Sequence, residues 1–161
     1  MSSVAKLAVR VAEVVTVNPL IKRFRFVARD GSDLPAFSGG AHTVIEMQDG
    51  DTRRLNPYSL MSDPADRSAY EISVRRDDQG RGGSLFLHNH VKAGMELTIS
   101  HPVNLFPLDN RARKHLMIAG GIGITPFLAQ TKQLSHFGGN FELHYAARNR
   151  ELAAYAPELQ A

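Results

Sequence analysis

At 161 residues, with 43% apolar and 22% charged residues and a formal net charge of +3, the chain has the composition of a globular domain, or of one domain and a fraction. It contains no cysteine, which excludes disulfides, zinc–thiolate sites and iron–sulfur ligation by its own side chains. No apolar run approaches the roughly 20 residues a bilayer span needs, and the start MSSVAKLAVRVAEVV lacks a secretory signal, so a cytoplasmic protein with no membrane partner is expected.

The basic residues are scattered, without an aromatic–basic motif or a basic stripe, which argues against nucleic acid and suits anionic cofactors instead. Among the histidines, the closest pair is His88 and His90. On a helix these point to different faces, so surface or helix-end roles are expected and no metal site.

Taken in chain order, residues 7–17 and 20–28 are rich in β-branched and aromatic residues, and Asn18-Pro19 marks a turn between them. A loop of Asp, Gly, Ser and Pro at 30–40 leads to a strand near 41–48, which Gln48-Asp49-Gly50 turns. Strands near 54–61 and 69–76, a short helix near 83–90 and a strand over 95–101 follow. Six strands at this spacing predict a small antiparallel barrel, whose closure removes exposed edges.

After Pro107 the period changes. Leu116 to Ala119 reads as a buried strand, and Ile124 to Leu134 has helical spacing. Phe141 to Ala146 reads as a second strand after the break at Gly138-Gly139-Asn140. This is a β-α-β unit with a parallel sheet and a right-handed crossover, and a last helix is expected over roughly 150–160. The predicted organisation is a barrel over 1–108 and an incomplete nucleotide-binding region over 109–161. A parallel sheet of two strands leaves an open apolar edge, so a truncated or split protein, or a covering partner, is expected.

Three motifs carry chemistry. In NPYSL at 56–60, an aromatic face and a hydroxyl suit a flavin ring, although a regular strand would send Tyr58 and Ser59 to opposite faces. Only a twisted or bulged strand lets both meet one ligand, and the plain alternative is a strand leaving a proline turn. In GRGGS at 80–84, successive glycines let backbone approach an anion, Ser84 caps or donates, and Arg81 adds a cation ahead of an apolar helix. That is a phosphate cradle, or else a glycine-rich loop with an N-cap. In GGIGITP at 120–126, glycines at a strand-to-helix turn suit a dinucleotide, or simply a tight α/β turn, and Pro126 fits the first turn of the helix.

The order of these motifs, together with RGGSLFLHNHV, LTISHPVNLFPL and ARKHLMIAGGIGITPFL, resembles the ferredoxin-reductase superfamily, and within it the phthalate dioxygenase reductase and vanillate demethylase reductase group. The resemblance runs along essentially the whole chain. It implies a six-stranded antiparallel flavin-binding barrel followed by the first β-α-β part of a nucleotide-binding parallel sheet. The implied activity is transfer of electrons from NADH through FMN, with FAD the alternative, to a [2Fe-2S] centre and a Rieske-type oxygenase or demethylase partner.

By the same resemblance Tyr58 and Ser59 contact the isoalloxazine, with Leu60 beside them through its backbone. Ser73, Val74 and Arg75 run under the ribityl chain and phosphate, and Arg81, Gly82, Gly83 and Ser84 form the phosphate loop. Gly120, Gly121, Gly123, Ile124 and Thr125 lie where nicotinamide meets flavin. Asn56 stands where many members have arginine, so Arg54, Arg75 or Arg81 must supply that charge. The family's Cys-Gly-Pro segment and cluster cysteines are absent, so the resemblance implies a [2Fe-2S] centre in a further domain or in a partner such as the remainder of a split reductase. No catalytic acid or base is expected. The alternative is a non-catalytic or split subunit that uses the barrel as a docking module in a larger oxygenase complex.

Overall fold

The computed structural model describes residues 5–160, so the expected outer limits at residues 1 and 161 lie outside the described residues. Six antiparallel strands form a curled sheet. They are β1 (Lys6–Asn18), β2 (Ile21–Ala28), β3 (Ala41–Asp49), β4 (Thr52–Ser59), β5 (Tyr70–Arg75) and β6 (Glu96–Ser100), hydrogen-bonded in the order β4-β3-β6-β1-β2-β5. A two-residue strand, β7 (Val103–Asn104), adds to β3. The turns form as their residues dictate: the Asn18 carboxamide oxygen accepts the Leu20 N–H at 2.9 Å, and Gly50 takes φ 58° between β3 and β4.

Alternation along the strands fills the inside of the curl. Val9, Val11, Phe24, Phe26, Ile45, Met47, Tyr70 and Ile72 are all buried in one core. Each such aliphatic or phenyl side chain contributes roughly 1.5–3 kcal/mol relative to exposure. The expected full closure is not reached, because β4 and β5 do not pair with each other and the sheet is a half-barrel. The intervening chain ties their ends instead: Leu60 N–H donates to Ala41 O and Met61 N–H to Glu71 O, both at 2.9 Å. Helix α1 (Gly83–His90) covers the opening, driving Leu87 into the core between the two edge strands. An edge position also explains how β4 tolerates Pro57, which has no N–H to give to a ladder.

The second unit begins with β8 (His115–Gly120), a 3-10 turn over Gly121–Ile124 and α2 (Thr125–Phe137), with Pro126 in the first turn of the helix. Gly138 ends α2 in the left-handed region at φ 64°, and β9 (Phe141–Ala146) returns parallel to β8 in unbroken register from His115↔Phe141 to Gly120↔Ala146. Its core is shared with the half-barrel: Met117, Ala119, Ile124 and Leu128 pack with Ile21 and Met61.

The helix expected over 150–160 is largely absent. Only α3 (Ala156–Leu159) forms, because the Asn149 side chain takes the Leu152 N–H at 2.9 Å, Tyr155 adopts φ 65°, and Pro157 can enter a helix only near its start. No helix among the described residues is long and apolar enough to cross a membrane.

Candidate functional site

The glycine loop before α1 is pressed against β4. A Cβ on Gly83 would lie 2.5 Å from the Asn56 amide nitrogen, and one on Gly82, which has φ 94°, would lie 2.9 Å from the Arg54 guanidinium carbon. Only glycine permits this approach and, at position 82, this backbone. Of the arginines that could replace the missing cation, Arg54 is the one over the loop: it donates to the Arg81 carbonyl and pairs with Asp49 at 2.9 Å. Arg81 itself is exposed.

Gly82 precedes the helix with no side-chain cap, so no capping side chain accepts from the first N–H groups of α1. Of the two roles expected of Ser84, capping or donating, the cap is not formed, and the hydroxyl donates to the Asp77 carbonyl at 3.4 Å. The same hydroxyl accepts the Asp77 N–H at 3.0 Å and bends the loop back on itself.

Further along the same face of β4, Tyr58 packs on the half-barrel core. Its hydroxyl is buried with no hydrogen-bond partner, and burial pushes its pKa up to about 12. The neighbouring Asn56 amide opposes that shift without reaching hydrogen-bond geometry. The β3–β4 ladder runs from Asp49↔Thr52 to His42↔Ser59 with no register shift, so the bulge that would turn Tyr58 and Ser59 to one side is not there. Ser59 faces out, into a cavity of about 410 Å³ that it shares with His42, Pro57, Phe106 and Pro126 at the start of α2. Leu60, next in the chain, is fully buried.

On β5, Val74 belongs to the barrel core, and its carbonyl meets the buried ring of His88 at 2.8 Å. Ser73 turns the other way and shares a hydrogen bond with the Tyr155 hydroxyl, with the Met61 sulfur at 3.1 Å. Arg75 lines a different cavity, of about 440 Å³, with Gly120, Gly121, Ala146 and Arg148. That cavity lies outside the carboxyl ends of β8 and β9, the position where open parallel sheets bind ligands. Gly121 takes φ 53° there, and a Cβ on Gly123 would meet nothing within 4 Å. Thr125 is buried and donates to Ile122 O at 3.1 Å, bracing the turn.

The structure brings some of the expected residues together in three places, namely Asn56, Tyr58 and Arg81–Ser84 around the glycine loop, Ser59 in the outer cavity, and Arg75 with Gly121 in the cavity at the strand ends. Leu60 and Val74 are instead buried in the barrel core, Ser73 meets Tyr155, and Gly123 and Thr125 belong to the turn into α2. Sequence reasoning passed over Phe106, Arg148 and Tyr155. Arg148 was recoverable, since it lies just past the end of the second parallel strand. Nothing local marks Tyr155 as the partner of a residue 82 positions away.

An antiparallel half-barrel with a glycine loop on its open side, joined through a shared core to a parallel unit with a cavity at its strand ends, is a fold of the ferredoxin-reductase type. No family model matches the chain. It is 51% identical over 159 residues to the carnitine monooxygenase reductase subunit of Escherichia coli (strain K12), covering 99% of this chain and 50% of that one. It is 49% identical over 154 residues to the heme-dependent oxidative N-demethylase beta subunit of Ectopseudomonas mendocina (strain ymp), covering 96% and 48%. Among solved structures, phthalate dioxygenase reductase, described as modular for electron transfer from pyridine nucleotides to [2Fe-2S], superposes with a TM-score of 0.91 at 37% identity, covering 98% of this chain and 48% of that one. The chain belongs to the ferredoxin-reductase superfamily, as a homologue of the N-terminal part of reductase components of oxygenase and demethylase systems. It spans about half the length of the curated relatives it matches.

Proposed function

We propose that this chain is the flavin-binding part of an NADH-dependent reductase component that passes electrons through FMN toward an iron–sulfur centre and a Rieske-type oxygenase. In this reading residues 1–108 bind the flavin and 109–161 form part of the nucleotide-binding region. The observation that carries it is the glycine loop held against Arg54 and Asn56 at an uncapped helix start, with the unpartnered Tyr58 hydroxyl on the same strand face.

These residues fit a phosphorylated flavin. The N–H groups of α1 and the guanidinium of Arg54 are the anion-binding parts, Arg81 adds exposed charge, and Tyr58 offers an aromatic ring and a donor in need of an acceptor. Bound flavin would accept two electrons together and release them singly. The protein's work is alignment and water exclusion: Pro126 and Phe106 wall the cavity that Ser59 borders, and the bend at Gly120 and Gly121 leaves room for a second ring system. The residues do not fit a [2Fe-2S] cluster, since there is no cysteine to ligate one, and the reading assigns the cluster to other polypeptide.

The test is flavin content. Purified protein incubated with FMN and desalted is expected to stay yellow, and chromatography of the extracted cofactor separates FMN from FAD. A colourless protein that takes up neither flavin overturns the reading.

A split or docking subunit is the second reading, and the bare face of the parallel sheet favours it: Leu116 is 63% and Ile118 72% exposed. It predicts co-purification with a covering partner. A chain that stays monodisperse alone counts against it. One relative is named as heme-dependent, so co-purification with a Rieske protein, set against a heme protein, decides which redox centre the partner carries.

A further inference from the structure

Gln130 is a polar residue of α2 that is only 2% exposed. Its amide nitrogen donates at 2.8 Å to the carbonyl of Phe106, in the segment that joins the two units. The end of the 30–40 loop of the half-barrel is wedged against the same pair. A Cβ on Gly39 would lie 2.6 Å from the Gln130 Cα, and one on Gly40, at φ 98°, would run into the Phe106 carbonyl. Further polar contacts close the junction: the Gly39 N–H donates to Gln133 Oε1 at 2.6 Å, and the Asn104 carboxamide donates to Ser38 Oγ at 2.7 Å and accepts the Phe106 N–H at 3.0 Å. So held, the Phe106 ring packs edge-on against Phe127 at 5.6 Å and walls the cavity that Ser59 and Pro126 border from opposite units. The other polar contacts from α2 to the half-barrel are less suited to fixing an orientation. Lys132 reaches Met61 O at 3.3 Å, and the His136–Asp63 pair is largely open to solvent, where such pairs contribute little.

We infer that Gln130 is a positioning residue: by tying Phe106 to α2, with Gly39 and Gly40 fitted against both, it fixes how the parallel unit sits on the half-barrel. It thereby sets the gap between Ser59 and Pro126, and it acts on that gap only through Phe106. In the reading above the flavin ring borders this gap, and this part of the inference rests on that reading. A buried amide that loses its donor leaves the Phe106 carbonyl without that partner, and two packed units with a loosened seam slide or hinge while each keeps its own core.

The test is the distance between the units, read by electron–electron resonance between two nitroxide labels on the whole chain. Because the chain has no cysteine, Asp51→Cys in the exposed β3–β4 turn and Phe137→Cys at the exposed end of α2 supply the two attachment points. The parent is expected to give one narrow distance distribution. Gln130→Met, which keeps the length and removes the donor, is expected to give one about twice as wide, and Gln133→Ala a smaller broadening. Ile72→Val, a mild truncation in the half-barrel core, is expected to leave it unchanged. An unchanged distribution in folded Gln130→Met overturns the inference, as does equal broadening by Ile72→Val. If Gln130→Met does not fold, Gln133→Ala decides in the same way. With FMN added, Gln130→Met is expected to bind it within about twofold of the parent, since the Gly82–Gly83 loop is untouched, while iodide quenches the bound flavin's emission more readily. Broadened distances with unchanged quenching overturn the assignment of the gap to the flavin ring. Gln130-dependent broadening in a protein that takes up no flavin upholds the positioning role and sinks the flavin reading.

Discussion

The half-barrel and the parallel unit treat the two faces of a sheet differently. In the half-barrel the inner face is filled by its own strands and by Leu87 of α1, and the glycine loop, Arg54, Asn56 and Tyr58 lie within one stretch of about thirty residues. In the parallel unit, Met117 and Ala119 are buried on one side while Leu116 and Ile118 are bare on the other. Its cavity borrows Leu20, Ile21 and Arg75 from the barrel. The first region builds its site from itself. The second has a site only because the two are packed together, so it is the more sensitive to whatever loosens that contact.

The strongest way to break this contrast is to compare the two sheets directly. Phe26→Ala removes a fully buried ring from the half-barrel and is expected to cost about 3–5 kcal/mol in denaturant unfolding. Ile118→Ser on the bare face is expected to stay within about 0.5 kcal/mol of the parent. Equal costs would mean that Ile118 is covered in solution.

Next in size, Gly83→Ala places a methyl group against Asn56 and is expected to lower flavin affinity at least tenfold, roughly 1.4 kcal/mol, with a smaller loss of stability. A variant that binds FMN as well as the parent would remove the glycine loop from the site. Tyr155→Phe leaves the Ser73 hydroxyl with only a sulfur neighbour and is expected to cost about 1 kcal/mol. Hydrogen exchange is expected to place that loss in β8 and β9 and not in the half-barrel. Uniform loss would contradict the dependence argued above.

The smallest effect is a pH response. Burial holds His88 below its ordinary value of 6.5, so the unfolded chain binds the proton more readily than the folded one. The contribution is complete above the unfolded pKa and is lost as pH falls through the lowered folded value. A comparison of unfolding curves for the parent and His88→Phe from neutral pH downward is expected to converge on the acid side. Parallel curves would remove His88 as the cause.

Much of the architecture was legible because its signals are local. Alternating strands, the Asn18 and Gly50 turns, the helix ahead of His90 and the return strand from Phe141 follow from periodicity and turn residues in short windows. Features set by distant partners were not. Sequence could not show that β4 and β5 stay unpaired, since each reads as an ordinary strand and only the curl of the whole sheet decides closure. The end of the chain misled because the side-chain bond of Asn149 and the left-handed backbone of Tyr155 outweigh helical composition. Motif order grouped Arg75 with the strand implied to run under the flavin, and only the fold shows that it also lines the cavity at the strand ends. The geometry around Gly82 and Gly83 was half visible: the glycines announced a close approach, and only the fold supplied Arg54 and Asn56 as what they approach.

The opening between β4 and β5 leaves two rows of main-chain donors and acceptors without strand partners, and such margins recruit other chains by strand addition. Pro57 breaks one row and α1 shields part of the gap, but an occupant wedged there would be the fuller protection. If the flavin proposed above fills that gap, refolding into buffer containing FMN is expected to leave less aggregate than refolding without it, and equal yields would show that the margins are protected by the chain alone.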